Sequence, residues 1–182
     1  MSDPAFFGYG SLVNLSTHDY DDPRPARLKG WRRTWQGTTA HDIAYLSVIQ
    51  DAGSEIAGVI ARVPGADWVA LDAREDVYNR HNVTDAVTHD APSAMTAVYQ
   101  VTPDLYTSHT RDHCILRSYL DVVVQGYHQM FGVDGVAAFF DTTDAWAPII
   151  EDRDAPQYPR HRDLSLAETA LVDHHLNRLN LL

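Results

Sequence analysis

One cysteine in 182 residues, Cys114, leaves no internal disulfide framework to hold the fold and suits a reducing compartment. Positive charge is short as well: 14 Lys and Arg stand against 25 Asp and Glu, a formal net charge of −11. That balance speaks against DNA, RNA or an anionic membrane surface as a partner. No apolar stretch approaches the length that crosses a bilayer. The start, Met1-Ser2-Asp3-Pro4, lacks the basic region and apolar run of a secretory signal, so a cytoplasmic location is expected. Repeats, low-complexity tracts and linkers are missing too, which predicts a single domain over 1–182. At 45% hydrophobic, that domain can bury a sizeable core.

Metal and nucleophile motifs are thin. His109 and His113 lie four apart beside Cys114, a spacing that can hold Zn²⁺ on a helix face, but no fourth clustered ligand accompanies them. Surface or capping histidines account for the pair. His174 and His175 are adjacent and cannot share one helix face. Cys114 has no histidine partner in a nucleophile motif and reads as a small buried hydrophobe. Ser11 sits in Gly-Tyr-Gly-Ser-Leu rather than a Gly-x-Ser-x-Gly elbow, so binding suits it better than attack.

What is present is a series of strand-type segments followed by helices. Residues 4–7 read as the end of a short apolar strand, 14–25 as a polar loop, and 26–39 as a strand region carrying Trp31 and Trp35. Residues 44–49 and 55–63 are β-type runs, with Asp51-Ala52-Gly53-Ser54 between them as a hairpin signal. A helix is predicted over 67–78 with Asp67 as its N-cap, then strands over 82–88 and 94–102. Residues 112–131 form a long apolar-faced helix stopped at Gly132, 136–140 a short one, and 146–163 an extended, Pro-interrupted segment. Ser165-Leu166-Ala167-Glu168 has the form of a capping box that opens a last helix towards Leu179. Strands first and helices later, without regular alternation, give an α+β class.

Two segments carry chemistry. In Phe6-Phe7-Gly8-Tyr9-Gly10-Ser11-Leu12 a strand runs into a turn where Gly8 and Gly10 free the backbone. Such a turn can aim successive N–H groups and a serine hydroxyl at one carboxylate or phosphate. In the 67–78 helix, at roughly 100° per residue, Trp68, Leu71 and Tyr78 share a face, Glu75 falls between them and Arg74 points away. A carboxylate inside an apolar stripe must be paired, hydrogen-bonded or protonated, because its desolvation is costly. An Arg-paired structural glutamate, a helix edge that reaches water and a functional acid all satisfy that pattern.

In this order and spacing the two segments resemble the gamma-glutamylcyclotransferase-like family, which includes ChaC-type glutathione-degrading enzymes and gamma-glutamylamine cyclotransferases. That family opens with a strand and a Tyr-Gly-Ser-Leu turn, here Tyr9-Gly10-Ser11-Leu12. Its catalytic glutamate lies in Leu-Asp-x-x-Glu followed by a tyrosine, here Leu71-Asp72-Ala73-Arg74-Glu75 with Tyr78. Gly30-Trp31-Arg32-Arg33 and Ile56-Ala57-Gly58-Val59-Ile60 fit the strands ahead of that helix, and beyond Val101 the likeness thins.

The resemblance implies a small mixed β-barrel flanked by helices and a small-molecule γ-glutamyl substrate, with no metal or organic cofactor. The reaction it implies is intramolecular aminolysis, giving 5-oxoproline and a free amine or amino acid. Glu75 would serve as base and then acid, while Tyr9, Gly10, Ser11 and Leu12 hold the glutamyl carboxylate and polarise the γ-carbonyl. The leaving group and the oligomeric state stay open.

Past Val101, prolines stiffen Asp152-Arg153-Asp154-Ala155-Pro156-Gln157-Tyr158-Pro159-Arg160, and the family resemblance implies similar Tyr-Pro-Arg tails in some bacterial relatives. Tyr158 and Arg160 are candidate substrate-binding residues, with Trp146 a further candidate for the leaving-group pocket. Arg153 or Arg160 would supply the positive charge an acidic protein needs beside an anionic substrate. A solvated connection with surface ion pairs fits the same residues. The alternative function is a non-catalytic small-molecule binding or interaction domain on the same fold. A glutamate at 75, rather than glutamine or an apolar residue, favours the enzyme.

Overall fold

The computed structural model describes residues 3–91, 95–108 and 113–182. Its sheet is organised by β1 (Ala5–Gly8), β2 (Asp21–Thr38) and β3 (Tyr45–Arg62), the last two being antiparallel partners of 18 residues each. With β4 (Tyr78–Asn82), β5 (Val87–Thr88) and β6 (Thr96–Val101) they form the order β4-β6-β1-β3-β2-β5. β7 (Tyr106–Thr107) and β9 (Thr143–Asp144) add to β2, while β8 (Ile115–Leu116) pairs with β10 (Ile149–Ile150). β1 is antiparallel to β3 and parallel to β6, so the sheet is mixed. It curls into a half-barrel, and the class is α+β as expected. Among the described residues three α-helices complete it: α1 (Val69–Arg74), α2 (Arg117–Asp141) and α3 (Leu166–Arg178).

The curl has a local cause. Lys29 pairs with Glu55 and Trp31 with Gln50, so Gly30 alone faces the four residues Asp51 to Ser54. Gly30 takes φ 77°, a conformation that costs glycine little, and the bulge bends both strands. Asp51 folds the extra residues in by accepting from the Gly53 N–H and the Ser54 hydroxyl. The predicted hairpin at 51–54 is therefore a bulge inside one continuous strand, and the chain reverses between Thr38 and Tyr45 instead.

Other boundaries shift for identifiable reasons. The predicted loop over 14–25 ends early, because β2 begins at Asp21, takes in Pro23 at a register irregularity between Asp21 and Arg24, and pairs Pro25 with Val59. The helix predicted over 67–78 is only α1. Its N-cap is Trp68, although Asp67 does accept the Val69 N–H, and Tyr78 is drawn into the β4–β6 ladder opposite Val101. The predicted strand over 82–88 is split by a turn in which Asn82 accepts from both Thr84 donors. The long helix starts at Arg117 rather than 112, and 111–112 lie outside the described residues. Gly132, at φ 68° and ψ −167°, is not helical, so α2 consists of two helical stretches that meet there, in line with the expected stop at Gly132 and separate helix over 136–140. α3 opens on the expected capping box between Ser165 and Glu168.

β1 is buried on both faces, and alternation sends its side chains to two cores. Phe7 joins Trp35, Leu28, Val98 and the α2 residues Leu120, Val123 and Tyr127. Phe6 joins Leu12, Ala61, Val63, Leu71 and Tyr99 beneath α1. Central β1 thus ends in a turn held from both sides, and that turn borders the site. Among the described residues no helix is long and apolar enough to cross a membrane.

Candidate active site

The turn after β1 is fixed by its neighbours. The Tyr9 carbonyl accepts from the Tyr127 hydroxyl at 2.9 Å, and the Tyr9 hydroxyl donates to the Tyr99 carbonyl at 2.6 Å. Leu12 packs into the core under α1, and its carbonyl bonds the His18 ring at 3.0 Å. Asn14 donates to the Val122 carbonyl and the Gln125 side chain of α2. The side chains of Tyr9 and Leu12 are therefore taken up by the fold, whereas Ser11 lies at the cavity wall.

Neither Gly8 nor Gly10 has positive φ, so the expected freedom in φ is not what they use, although Gly10, at φ −117° and ψ −131°, is neither helical nor extended. Both also sit where space is short. A Cβ on Gly10 would lie 2.7 Å from the Tyr119 hydroxyl, and one on Gly8 would lie 2.8 Å from the Leu12 Cβ.

Glu75 caps the C-terminal end of α1, with φ −106° and ψ 43°, and its side chain is 15% exposed. Leaving the helix here turns Arg74 inward, contrary to the helical projection. Arg74 Nε lies 3.3 Å from Glu75 Oε1, while its terminal nitrogens donate to the Thr17 carbonyl (3.0 Å), the Thr17 hydroxyl (3.2 Å) and the Ser11 hydroxyl (3.3 Å). One guanidinium joins the carboxylate to the turn. Burial raises the Glu75 carboxyl above its ordinary value, against the nearby charges of Arg74 and Arg160, which favour ionisation. Asp76 is exposed, but Asp72 accepts from the Tyr99 hydroxyl at 2.7 Å and from Arg80 at 2.8 Å.

Ser11, Glu75, Tyr78, Tyr119, Tyr158 and Arg160 enclose a cavity of about 110 Å³. A smaller one of about 30 Å³ lies behind it against Gly8 to Leu12, and Ser11, Glu75, Tyr78 and Tyr119 line both. The turn and the carboxylate thus share walls. Tyr78 donates to the Leu46 carbonyl at 3.0 Å, and Tyr119 takes a backbone hydrogen bond from Ser11. Burial keeps the Tyr9, Tyr78 and Tyr119 phenols neutral, raised well above their ordinary value, and pushes Tyr45 at the rim up to about 12.

Of the later candidates, Tyr158 and Arg160 reach the cavity and two residues do not. Trp146 stacks on Phe140 at 5.0 Å and donates to the Thr143 carbonyl, half-buried against the core. Arg153 is held by Asp121 through two 2.7 Å bonds and by Asp173, so it is not the free cation. Arg74 and Tyr119 were not legible as site residues. A tyrosine hydroxyl within an otherwise apolar helix face was the available signal for the second.

Among the described residues no group of three or more His, Cys, Asp or Glu could hold a metal ion. His113 bonds the Thr38 carbonyl, Cys114 is half-buried, and His109 lies outside the described residues. His175 stacks on Phe140 in the core.

The family model for ChaC-like proteins matches residues 5–120. No curated protein matches the chain by sequence. Among solved structures, one named gamma-glutamyl cyclotransferase is 15% identical with TM-score 0.59, over 94% of this chain and 98% of that one. Human loc79017 is 15% identical with TM-score 0.61, over 95% and 99%. YkqA from Bacillus subtilis is 18% identical with TM-score 0.60, over 75% of this chain and 52% of that one. At these identities the likeness is one of fold.

Proposed function

The chain belongs to the ChaC-like protein family, and from that premise we propose that it is a γ-glutamyl cyclotransferase. It converts a γ-glutamyl compound into 5-oxoproline and a free amine or amino acid. The observation that carries this reading is the Glu75 carboxylate, held above its ordinary pKa and sharing one cavity wall with the Gly10–Leu12 turn.

The chemistry follows from that pairing. The turn holds the α-carboxylate of the glutamyl half with its N–H groups and the Ser11 hydroxyl. Glu75 takes a proton from the α-ammonium, and the freed amine attacks the γ-carbonyl carbon. A C–N bond forms and closes the five-membered ring. Donors of the turn, with the Tyr119 phenol beside Ser11, stabilise the oxyanion. Glu75 then gives that proton to the departing nitrogen as the original C–N bond breaks, and the second proton, shed by the ring nitrogen, passes through Glu75 to the released amine. Both reacting groups belong to one substrate, so positioning supplies much of the acceleration. Burial raises the Glu75 pKa towards that of a group able to accept and then donate near neutral pH. Arg160, at the cavity wall, suits an anionic group on the leaving half.

Incubation with glutathione, γ-glutamyl dipeptides and γ-glutamylamines, with 5-oxoproline quantified, tests the reading. Release from at least one class, lost in Glu75→Gln, supports it. Binding without release from any of them would leave the non-catalytic alternative.

A further inference from the structure

Asp152 is 5% exposed, and its partners are three donors. Its carboxylate accepts from the Ser118 N–H at 2.7 Å, the Ser118 hydroxyl at 2.6 Å and the Gln157 N–H at 2.9 Å. The Ser118 hydroxyl in turn accepts the Tyr158 N–H at 3.2 Å. Ser118 lies in the first turn of α2, whose own N-cap, Leu116, offers no side-chain acceptor. Asp152 supplies that acceptor from elsewhere in the chain, where the helix's positive end also favours an anion. Arg153 adds its paired bonds to Asp121 one turn further on.

This clamp adjoins the cavity. Tyr119, next to Ser118, lines it, and the Tyr158 ring meets Tyr119 edge to face at 5.0 Å. Two residues on, Arg160 also lines the cavity. Its carbonyl accepts from Arg162, and no ion pair among the described residues takes up its guanidinium. All of 152–160 lies beyond the family match over 5–120.

We infer that Asp152 is a positioning residue for substrate selection: by clamping 152–158 onto α2 it seats Arg160 where it reads an anionic group on the leaving half of the substrate. The inference rests on the γ-glutamyl reading of the site. The test uses γ-glutamylglycine, whose leaving half carries a carboxylate, and γ-glutamylethylamide, whose leaving half carries none. Asp152→Ala is expected to raise KM for γ-glutamylglycine about tenfold with kcat within about twofold. Both constants for γ-glutamylethylamide stay within about twofold. Because Asp152 acts through Arg160, adding Asp152→Ala to Arg160→Ala changes nothing further for γ-glutamylglycine. Effects that multiply, or an equal loss on both substrates, overturn the inference.

Ser118→Ala removes the hydroxyl that joins Asp152 to Tyr158, and it gives the same selective pattern should Asp152→Ala fail to fold. An unselective Ser118→Ala overturns the inference. Calorimetry in a Glu75→Gln background reads the pattern as Kd without turnover. If both ligands bind with that selectivity but wild-type protein releases no 5-oxoproline, the catalytic reading falls and this inference stands. If γ-glutamylglycine does not bind, or binds independently of Asp152 and Arg160, this inference falls.

Discussion

Arg74 Nε lies 3.3 Å from Glu75 Oε1, and the same guanidinium bonds Ser11 and Thr17 across the site. It is the nearest positive charge opposing the upward push that burial gives the Glu75 carboxyl. Arg160 opposes it too, while Asp76 works in the same direction as burial. Removing Arg74 should therefore carry the Glu75 pKa further up. In Arg74→Met the Glu75 midpoint, followed by carbon NMR of the labelled carboxyl, is expected to rise. The acidic limb of kcat/KM should move with it, since the base must be ionised in the free enzyme. An unmoved limb in a folded variant contradicts the role assigned to Glu75 or to its neighbour, and the NMR midpoint tells which.

Glu75 itself links activity to stability. Its folded carboxyl holds a proton more tightly than the unfolded chain does, so stability declines as pH rises from the ordinary carboxylate range through the raised value. Glu75→Gln carries no charge to desolvate. Above that window it is expected to melt at a higher temperature than wild type, and in the ordinary carboxylate range the gain disappears. Its kcat falls by about a hundredfold or more. Asp76→Asn, on the exposed side, is the matched control. Asp72 is not one, because it anchors Tyr99. A Glu75→Gln protein of unchanged stability and near-normal turnover would falsify the assignment.

Gly10 and Tyr119 form a steric pair. Gly10→Ala drives its Cβ against the Tyr119 hydroxyl at 2.7 Å, whereas the ring carbon behind it stands off at 3.9 Å. The single substitution is expected to cost about 1–3 kcal/mol of stability. Tyr119→Phe removes the obstructing atom, so the double variant should recover most of that loss in thermal melts while turnover stays low. Additive losses would show that the glycine is needed for some other reason.

Gly126 places α2 against the exit of the turn. A Cβ there would fall 2.6 Å from the Asn14 nitrogen and 2.7 Å from its Cα, and backbone cannot swing aside as a side chain can. Gly126→Ala is expected to cost about 1–3 kcal/mol, or roughly 2–4 °C in Tm for each kcal/mol. It should also raise KM, through displacement of Ser11. An undisturbed melt and KM would mean the two backbones separate freely.

Several features followed from neighbours a few residues apart. The strand into Gly8-Tyr9-Gly10-Ser11, the capping box at Ser165 and the order of strands before helices could be read from the chain. Each depends on short-range periodicity or on a side chain bonding its own backbone, and both are written in local sequence.

What came only with tertiary structure involves partners far apart along the chain. The 51–54 signal became a bulge because β2 stays paired on either side of Gly30, and that pairing outweighs a local turn preference. Helix α1 ends at Arg74 because Tyr78 is claimed by Val101 in β6, and this early ending is what turns Arg74 towards Ser11. Arg153 and Arg160, equivalent by sequence, were separated by Asp121, a buried carboxylate that claims one and leaves the other at the cavity. Charge and hydrogen-bonding capacity belong to the residue, but the partner that uses them is decided by packing.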